Sequence, residues 1–436
     1  MPKHNDTPSP HAITVVEGRG ENRRMVDDFA KEAKKRGWDF YQLLGINSDH
    51  ISRLDFDSIP LEYIIFRDLT NNNYIETERL LLWLKQNHKI CINANATGGR
   101  ICTSDKHFQQ GLFMMDPFLK KYALPTFEAK TKANVIAYAE AGRVHYPFLL
   151  KPRLGTTGAG IILIKKPEDL DRVDNFHSYI IEQYIEPECD YRVFVIGGVA
   201  VGIMRKTGNS KHPDDFKAWS AGCHKFPEKD SATQSLLSEI ATRAASVSRL
   251  EYTGVDILKE AKTSKYYLLE TNFAAGWGNG FIETTKANIP AYTLDWFEDL
   301  DEGRNQPVSQ AVTHYIDRRK KHLPVRIQQD YDAILSGDGA ILDSYDDIFA
   351  NYSNQYSYDA GNLFTTLKKA YQKLSNHPTL KHDYINLVQG IESMPLSWAG
   401  NFIGPEVGTL HDGVILSAMY LYILHKTDKM WYNYKS

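Results

Sequence analysis

The chain has 436 residues, 42% of them hydrophobic and 24% charged, with a formal net charge of −3. That length accommodates two or three domains with sizeable cores, and the composition is that of an ordinary globular protein. The charge balance leaves no electrostatic footprint for nucleic acid. Cys91, Cys102, Cys189 and Cys223 lack CxxC spacing, which argues for reduced thiols in a cytoplasmic protein rather than a disulfide framework or a zinc site. No apolar run reaches the roughly 18 residues of a membrane helix. The polar stretch Met1 to His11 has no signal core and reads as a frayed tail.

Ala12 to Val16 is a β-branched run that predicts a strand. Asn22 to Arg36 then carries Met25, Phe29 and Ala33 at helical spacing, with Gly37 as a C-cap. Strands are expected at Trp38 to Leu44, Tyr63 to Phe66 and Lys89 to Asn93, with a helix from Glu76 to Gln86. This alternation over roughly residues 11–105 predicts a small open α/β layer. The turn Glu17-Gly-Arg-Gly-Glu-Asn22 lacks the third glycine and the ribose carboxylate of a dinucleotide loop. It reads as a tight turn. Helices are expected from Asp105 to about Lys121 and from Lys132 to Ala141. Phe148 to Lys151 and Ile161 to Ile164 flank a glycine-rich loop as antiparallel strands. Tyr179 to Glu182, Arg192 to Ile196 and Val199 to Met204 are three more, and Gly197-Gly198 supplies a two-residue turn of the primed kind. Asp230 to Leu250 predicts a long amphipathic helix, and the acidic strands Gly254 to Leu258 and Tyr267 to Asn272 close a second unit over 106–300. Residues 305–436 are rich in tyrosine and leucine at helical spacing, as in Leu363 to Leu374 and Val414 to His425.

Four groups carry chemistry. Gly155, Gly158 and Gly160 let backbone N–H groups approach phosphate oxygens, and Thr156 and Thr157 add hydroxyl donors. Such a hairpin alone is more often a plain turn. Lys151, four residues earlier, projects towards the same anion. The Gly-Lys-Ser/Thr ending of a Walker loop is missing. Asp256, Glu270 and Asn272 sit among apolar strand residues. Glu270 and Asn272 are two apart and leave one face. Two carboxylates and an amide oxygen suit octahedral Mg²⁺. Arg192, and Arg205 with Lys206 beside it, offer cations for a carboxylate or phosphate. The run from Ile180 to Ile185 is an extended edge whose backbone can pair with an adenine.

In this order the groups resemble the ATP-grasp superfamily, and within it the RimK-type carboxylate–amine ligases, over roughly residues 60–290. The resemblance implies a fold of the α/β (α+β) class: an ATP-grasp unit behind an N-terminal open α/β layer, with a mostly helical C-terminal extension. It implies Lys106 and Lys151 as the nucleotide lysines and residues 155–160 as the mobile phosphate loop. Glu182, Gln183, Tyr184 and Ile185 would carry adenine, and Asp190 would hold the ribose. Arg192 and Arg205 would be the catalytic cations, and Asp256, Glu270 and Asn272 the ligands of Mg²⁺ or Mn²⁺. The activity it implies joins a small-molecule or peptide carboxylate to an amine through an acyl-phosphate, using ATP, with no nucleic-acid or membrane partner. Homo-oligomerisation stays open. So do a D-alanine–D-alanine or glutathione-type ligase and a non-catalytic ATP-binding regulator. Two departures stand out. Asn272-Phe-Ala-Ala-Gly276 lacks the proline of the family's metal motif. Phe216-Lys-Ala-Trp219 replaces a Phe-Arg-Ser-Asn stretch, so Lys217 and Trp219 point to a larger or more apolar acceptor than a glutamate tail.

Overall fold

The computed structural model describes residues 11–17, 23–44, 62–67, 74–86, 90–94, 96, 98–155, 158–208, 223–277, 280–305, 312–313, 316–317, 320–355, 358–377, 384–392 and 410–434. The chain opens with β1 (Ala12–Glu17), α1 (Arg23–Arg36), β2 (Asp39–Leu44), β3 (Tyr63–Arg67), α2 (Tyr74–Gln86) and β4 (Ile90–Cys91). The strands form a parallel sheet in the order β2-β1-β3-β4. A parallel sheet needs cover on both faces, and alternation supplies it. Ile13, Val15, Tyr63 and Ile65 pack with Phe29 of α1, while Val16, Ile64 and Phe66 pack with Leu80 and Leu84 of α2. The strand expected to run to Asn93 stops at Cys91 because Asn93 takes a left-handed backbone (φ 59°) that turns the chain.

The single helix expected from Asp105 to Lys121 is divided differently. After α3 (Gly99–Ser104), Asp105 caps α4 (Lys106–Met115) by accepting from His107 N at 2.9 Å and Phe108 N at 3.3 Å. Helix α4 ends at Asp116 because Pro117 disfavours the helical backbone before it. The Asp116 carboxylate then accepts from Phe118 N and Leu119 N, both at 2.8 Å, starting a separate 3₁₀ turn at Leu119–Lys121.

β5 (Thr126–Glu128), α5 (Lys132–Glu140), β6 (Phe148–Pro152), β7 (Ile162–Ile164) and β8 (Tyr179–Gln183) follow, with an antiparallel sheet ordered β5-β8-β6-β7. β9 (Pro187–Ile196), β10 (Val199–Thr207), β11 (His224–Pro227), α6 (Ser231–Val247), β12 (Tyr252–Glu260) and β13 (Tyr266–Asn272) give a larger antiparallel sheet ordered β11-β10-β9-β12-β13. Gly197 and Gly198, both at positive φ (53° and 76°), make the expected turn between β9 and β10. A Cβ on Gly197 would lie 2.3 Å from the Trp296 ring, so glycine is required there on two counts.

Helices α7 (Phe281–Thr285), α8 (Ile289–Asn305), α9 (Val325–Ser336), α10 (Asp346–Gln355), α11 (Tyr358–Asn376), α12 (Ile385–Glu392) and α13 (Leu410–Tyr434) complete the described chain. No helix among the described residues is long and apolar enough to cross a membrane. One apolar cluster joins Ile13 and Val15 of β1, Phe194 and Ile196 of β9, Phe297 of α8 and Met419 of α13. A largely buried polar chain, half-exposed only at Arg326, runs beside it. Asp116 Oδ2 lies 3.5 Å from Arg243 Nη1, and Glu239 pairs with both Arg243 and Arg326. Arg326 also meets Asp330 at 3.3 Å, and Asp330 accepts from the Tyr345 hydroxyl at 2.7 Å.

Asn93 fastens the first sheet to the large one. Its Nδ2 donates to Tyr252 O (2.8 Å) and Phe273 O (2.5 Å), its Oδ1 accepts from Tyr252 N (3.0 Å), and its N–H donates to Glu251 Oε2 (2.7 Å). Glu251 Oε1 is buried without a hydrogen-bond partner. Burial pushes the Glu251 carboxyl up to about 7, against the pull of the Asn93 N–H. A raised carboxyl favours folding most when protonated, so its contribution is full below about pH 4.5 and is lost as pH rises through 7. Glu251→Gln is therefore expected to gain on the wild type between pH 5 and pH 8, by up to about 3 kcal/mol. Denaturant melts at the two pH values test this; a constant difference would show that Glu251 is not the titrating group.

Candidate functional site

A cleft between the two antiparallel sheets gathers most of the expected residues. One wall is Lys151 of β6 with Glu182 and Gln183 of β8, continued by Tyr184 and Ile185. The other is Asp190 of β9, Lys206 of β10, Asp256 of β12 and Glu270 of β13. Lys106, the first residue of α4, and the loop at Gly155 and Gly158 close the end. Lys151 and Glu270 thus face one shared space although 119 positions separate them in sequence. The end of the cleft is drawn together by Lys106, whose Nζ lies 3.2 Å from Glu270 Oε2 and donates to Gly155 O at 2.6 Å. Arg153 anchors the loop by donating to Asp105 Oδ2 at 2.6 Å and to Glu128 Oε1 at 3.0 Å.

Lys151 is paired with the buried carboxylate of Glu182. The Gln183 side chain works elsewhere: it bonds His145 N (2.8 Å) and donates to His145 O and Pro147 O (both 3.0 Å), so this stretch turns its backbone to the cleft. Lys151→Met would leave Glu182 as a buried unpaired charge, at an expected cost of about 3–5 kcal/mol. Adding Glu182→Leu should recover that stability in thermal melts while nucleotide affinity stays lost. Recovery of affinity in the double variant would remove Lys151 from the nucleotide site.

The acidic side is compensated by cations. Arg192 donates from Nε to Asp256 Oδ1 at 2.9 Å, and its Nη2 bonds Oδ2. Burial would raise the Asp256 carboxyl, but Arg192 and Lys206 outweigh it and hold the group below the usual carboxylate range. Asp190 is shifted the other way: burial raises it despite Lys206. Asp256 and Glu270 stand directly opposite each other across β12 and β13. The Asn272 Nδ2 donates to Gly254 O at 2.8 Å and Asp256 Oδ2 at 3.3 Å. Two carboxylates on one face and an amide whose nitrogen is already engaged form a hard-oxygen set that fits Mg²⁺ or Mn²⁺. Among the described residues no three His, Cys, Asp or Glu side chains gather as a metal cluster, in this cleft or outside it, so the set here rests on two carboxylates and an amide.

Residues 119–297 match the RimK-like ATP-grasp domain. The chain carries a RimK-like ATP-grasp domain. A probable alpha-L-glutamate ligase of Haemophilus influenzae is 30% identical over 174 residues, covering 38% of this chain and 54% of that protein. A ribosomal protein bS6–L-glutamate ligase of Salmonella paratyphi B is 27% identical over 160 residues, 35% of this chain and 50% of that protein. The chain thus spans about half the length of these curated relatives. A solved D-alanine–D-alanine ligase from Bacillus anthracis complexed with ATP is 15% identical, with a TM-score of 0.48, over 65% of this chain and 94% of that one.

Within this ATP-grasp domain one expected cation is misplaced. Arg205 is not on the cleft. β10 pairs Ala200 with Val195 but Gly202 with Phe194, so Val201 is an extra residue, a β-bulge. In unbroken register Arg205 would stand opposite Asp190. The bulge puts Lys206 there, with Nζ 3.9 Å from Asp190 and 3.8 Å from Asp256. Arg205 instead pairs opposite Tyr191, on the face packed against α6, and meets Glu188 at 3.3 Å. Arg192 shares the sheet face of Asp190 and Asp256 but is locked to Asp256 and does not line the cleft. Gly160, at φ 78°, shapes the loop from outside the lining. Thr156, Thr157, Lys217 and Trp219 lie outside the described residues. Lys206 was present in the sequence but indistinguishable from Arg205 without the bulge. Leu124, Leu149, Leu258 and Leu269 also line the cleft, and nothing in sequence separates them from core leucines.

Proposed function

We propose that this chain is an ATP-dependent carboxylate–amine ligase acting on amino acids or peptides. The observation that carries the reading is the convergence of Lys106, Lys151 and Lys206 with Asp256 and Glu270 on one cleft, with Asn272 bonded to Asp256 beside its lining, in the segment that matches the RimK-like ATP-grasp domain. In the reaction a donor carboxylate oxygen attacks the γ-phosphorus of ATP, the bond to ADP breaks, and an acyl-phosphate forms. The amine nitrogen then attacks the acyl carbon, loses a proton and expels inorganic phosphate. Lys106, Lys151 and Lys206 surround the place of the triphosphate and stabilise charge that grows during transfer. Asp256, Glu270 and Asn272 would hold the divalent cation, which would supply charge neutralisation on the phosphate oxygens. The backbone of 183–185 would pair with the adenine edge, and Asp190 would accept from a ribose hydroxyl. Gly155, tethered by Lys106, and Gly158 close the end of the cleft, where their backbone would shield an acyl-phosphate from water.

The names of the two relatives place L-glutamate first on an acceptor panel, followed by larger amino acids and peptides. Incubation of the full chain with ATP, Mg²⁺ and that panel should give amine-dependent ADP and a product weighing donor plus acceptor minus water. Tight binding of Mg²⁺–ATP with no amine-dependent ADP release from any pair would turn the reading to a nucleotide-binding regulator.

A further inference from the structure

β13 is the edge strand of the larger sheet, where outer N–H and C=O groups lack a neighbouring strand. Helix α4 runs along that edge and supplies partners from two side chains. Gln109 accepts from Thr271 N at Oε1 (2.8 Å) and donates from Nε2 to Thr271 O (3.0 Å). That is the pair of bonds a facing strand residue would make. Gln110 donates from Nε2 to Leu268 O (2.8 Å) and Leu269 O (3.0 Å), and accepts from Leu124 N at Oε1 (2.8 Å). Both glutamines are 2% exposed, and Gln109 also donates to Thr103 O, so each amide is fully used.

What they hold is a bulge. β12 and β13 pair Asp256 with Glu270 but Ile257 with Leu268, leaving Leu269 as the extra residue. In unbroken register Leu269 would stand opposite Asp256, and Glu270 would turn with Leu268 into the apolar cluster against α6. The bulge keeps Glu270 on the cleft. Gln110 grips both carbonyls of the bulge, and Gln109 fixes the residue between Glu270 and Asn272. Lys106, Gln109 and Gln110 fall at i, i+3 and i+4, so one helix face carries all three.

We infer that Gln109 and Gln110 are positioning residues for the divalent cation: they pin the bulge that aims Glu270 and Asn272 at the triphosphate. This rests on reading the cleft as a Mg²⁺–ATP site, but not on amide formation. Covering an edge for stability alone would use the same bonds, so the test must separate the two roles. ATP binding to the full chain is measured by calorimetry in chelator and at rising Mg²⁺, for the wild type, Gln109→Met, Gln110→Met and Leu367→Ala. Leu367 is buried on α11, away from β13, and Leu367→Ala serves as a destabilised control. In each methionine variant the Mg²⁺ midpoint should rise at least tenfold, with metal-free ATP affinity within twofold of the wild type. The control should melt lower with its midpoint unmoved. Unchanged midpoints in the folded glutamine variants, an equal shift in the control, or a wild type whose ATP affinity ignores Mg²⁺ would each overturn the inference. If the methionine forms do not fold, Gln109→Glu replaces them under the same criterion, because it keeps the shape and the acceptor but loses the donor. A wild type that binds Mg²⁺–ATP tightly yet joins no substrates sinks the ligase reading and leaves this result readable.

Discussion

Glu270→Gln is expected to reduce ATP turnover by about a thousandfold, about 4 kcal/mol in barrier, while the protein stays folded. The reason is local. Glu270 pairs with Lys106 at 3.2 Å, and both side chains keep partial contact with solvent, at 24% and 16% exposure. Neutralising Glu270 therefore leaves no deeply buried orphan charge. Asp256→Asn would be the poorer experiment, because Asp256 is buried and Arg192 is committed to it through two bonds. In the Glu270→Gln variant the cation site keeps one carboxylate, and the affinity for Mg²⁺ falls with the charge of the set. Amine-dependent ADP release reports the loss, and a thermal melt reports the fold. Full turnover in a folded Glu270→Gln protein would refute the metal assignment.

The second large effect separates two neighbours in sequence. Lys206→Met should slow turnover by about a hundredfold or more, in line with about 3 kcal/mol for one preorganised donor, whereas Arg205→Met should stay within a few fold of the wild type. Lys206 lies near Asp190 and Asp256, and its charge is the leading influence that offsets the burial of Asp190. Its removal should also push the Asp190 carboxyl higher still, moving the acidic limb of the pH–rate profile upwards. The sign follows from a neighbouring cation favouring the ionised form. If Arg205→Met is the more damaging change, the one-residue bulge at Val201 is not the feature that sorts these two side chains.

Much of this was legible in sequence because it is local. The parallel layer of β1 to β4 follows from apolar strands separated by one helical pattern. The primed turn at Gly197-Gly198 follows from two glycines between β-branched runs. Lys151 with the glycine loop is one short motif, and Glu270 and Asn272, two apart, share a strand face whichever way the strand is turned. What alternation does not reveal is an inserted strand residue. Val201 and Leu269 each shift the register by one, and each shift decides which side chain faces the cleft. Nor does spacing reveal contacts between distant segments, such as Gln109 with Thr271 or Asn93 with Tyr252. The split at Asp116 was readable from Pro117, whereas the early end of β4 depends on the backbone that Asn93 adopts to reach those tertiary partners.

The polar chain from Asp116 to Tyr345 has a practical consequence. It ties helix α6, packed on the larger sheet, to α9 of the extension through Glu239 and Arg326, beside an oily seam in which Ile327 and Tyr331 of α9 pack with Phe194 of β9 and Phe297 of α8. Cutting the chain after residue 305 would strip Arg326 from Glu239 and wet that seam, so a shortened protein should emerge from expression as insoluble material. Biochemists seeking a smaller version of this protein would do better to trim surface loops than to discard its carboxy-terminal third.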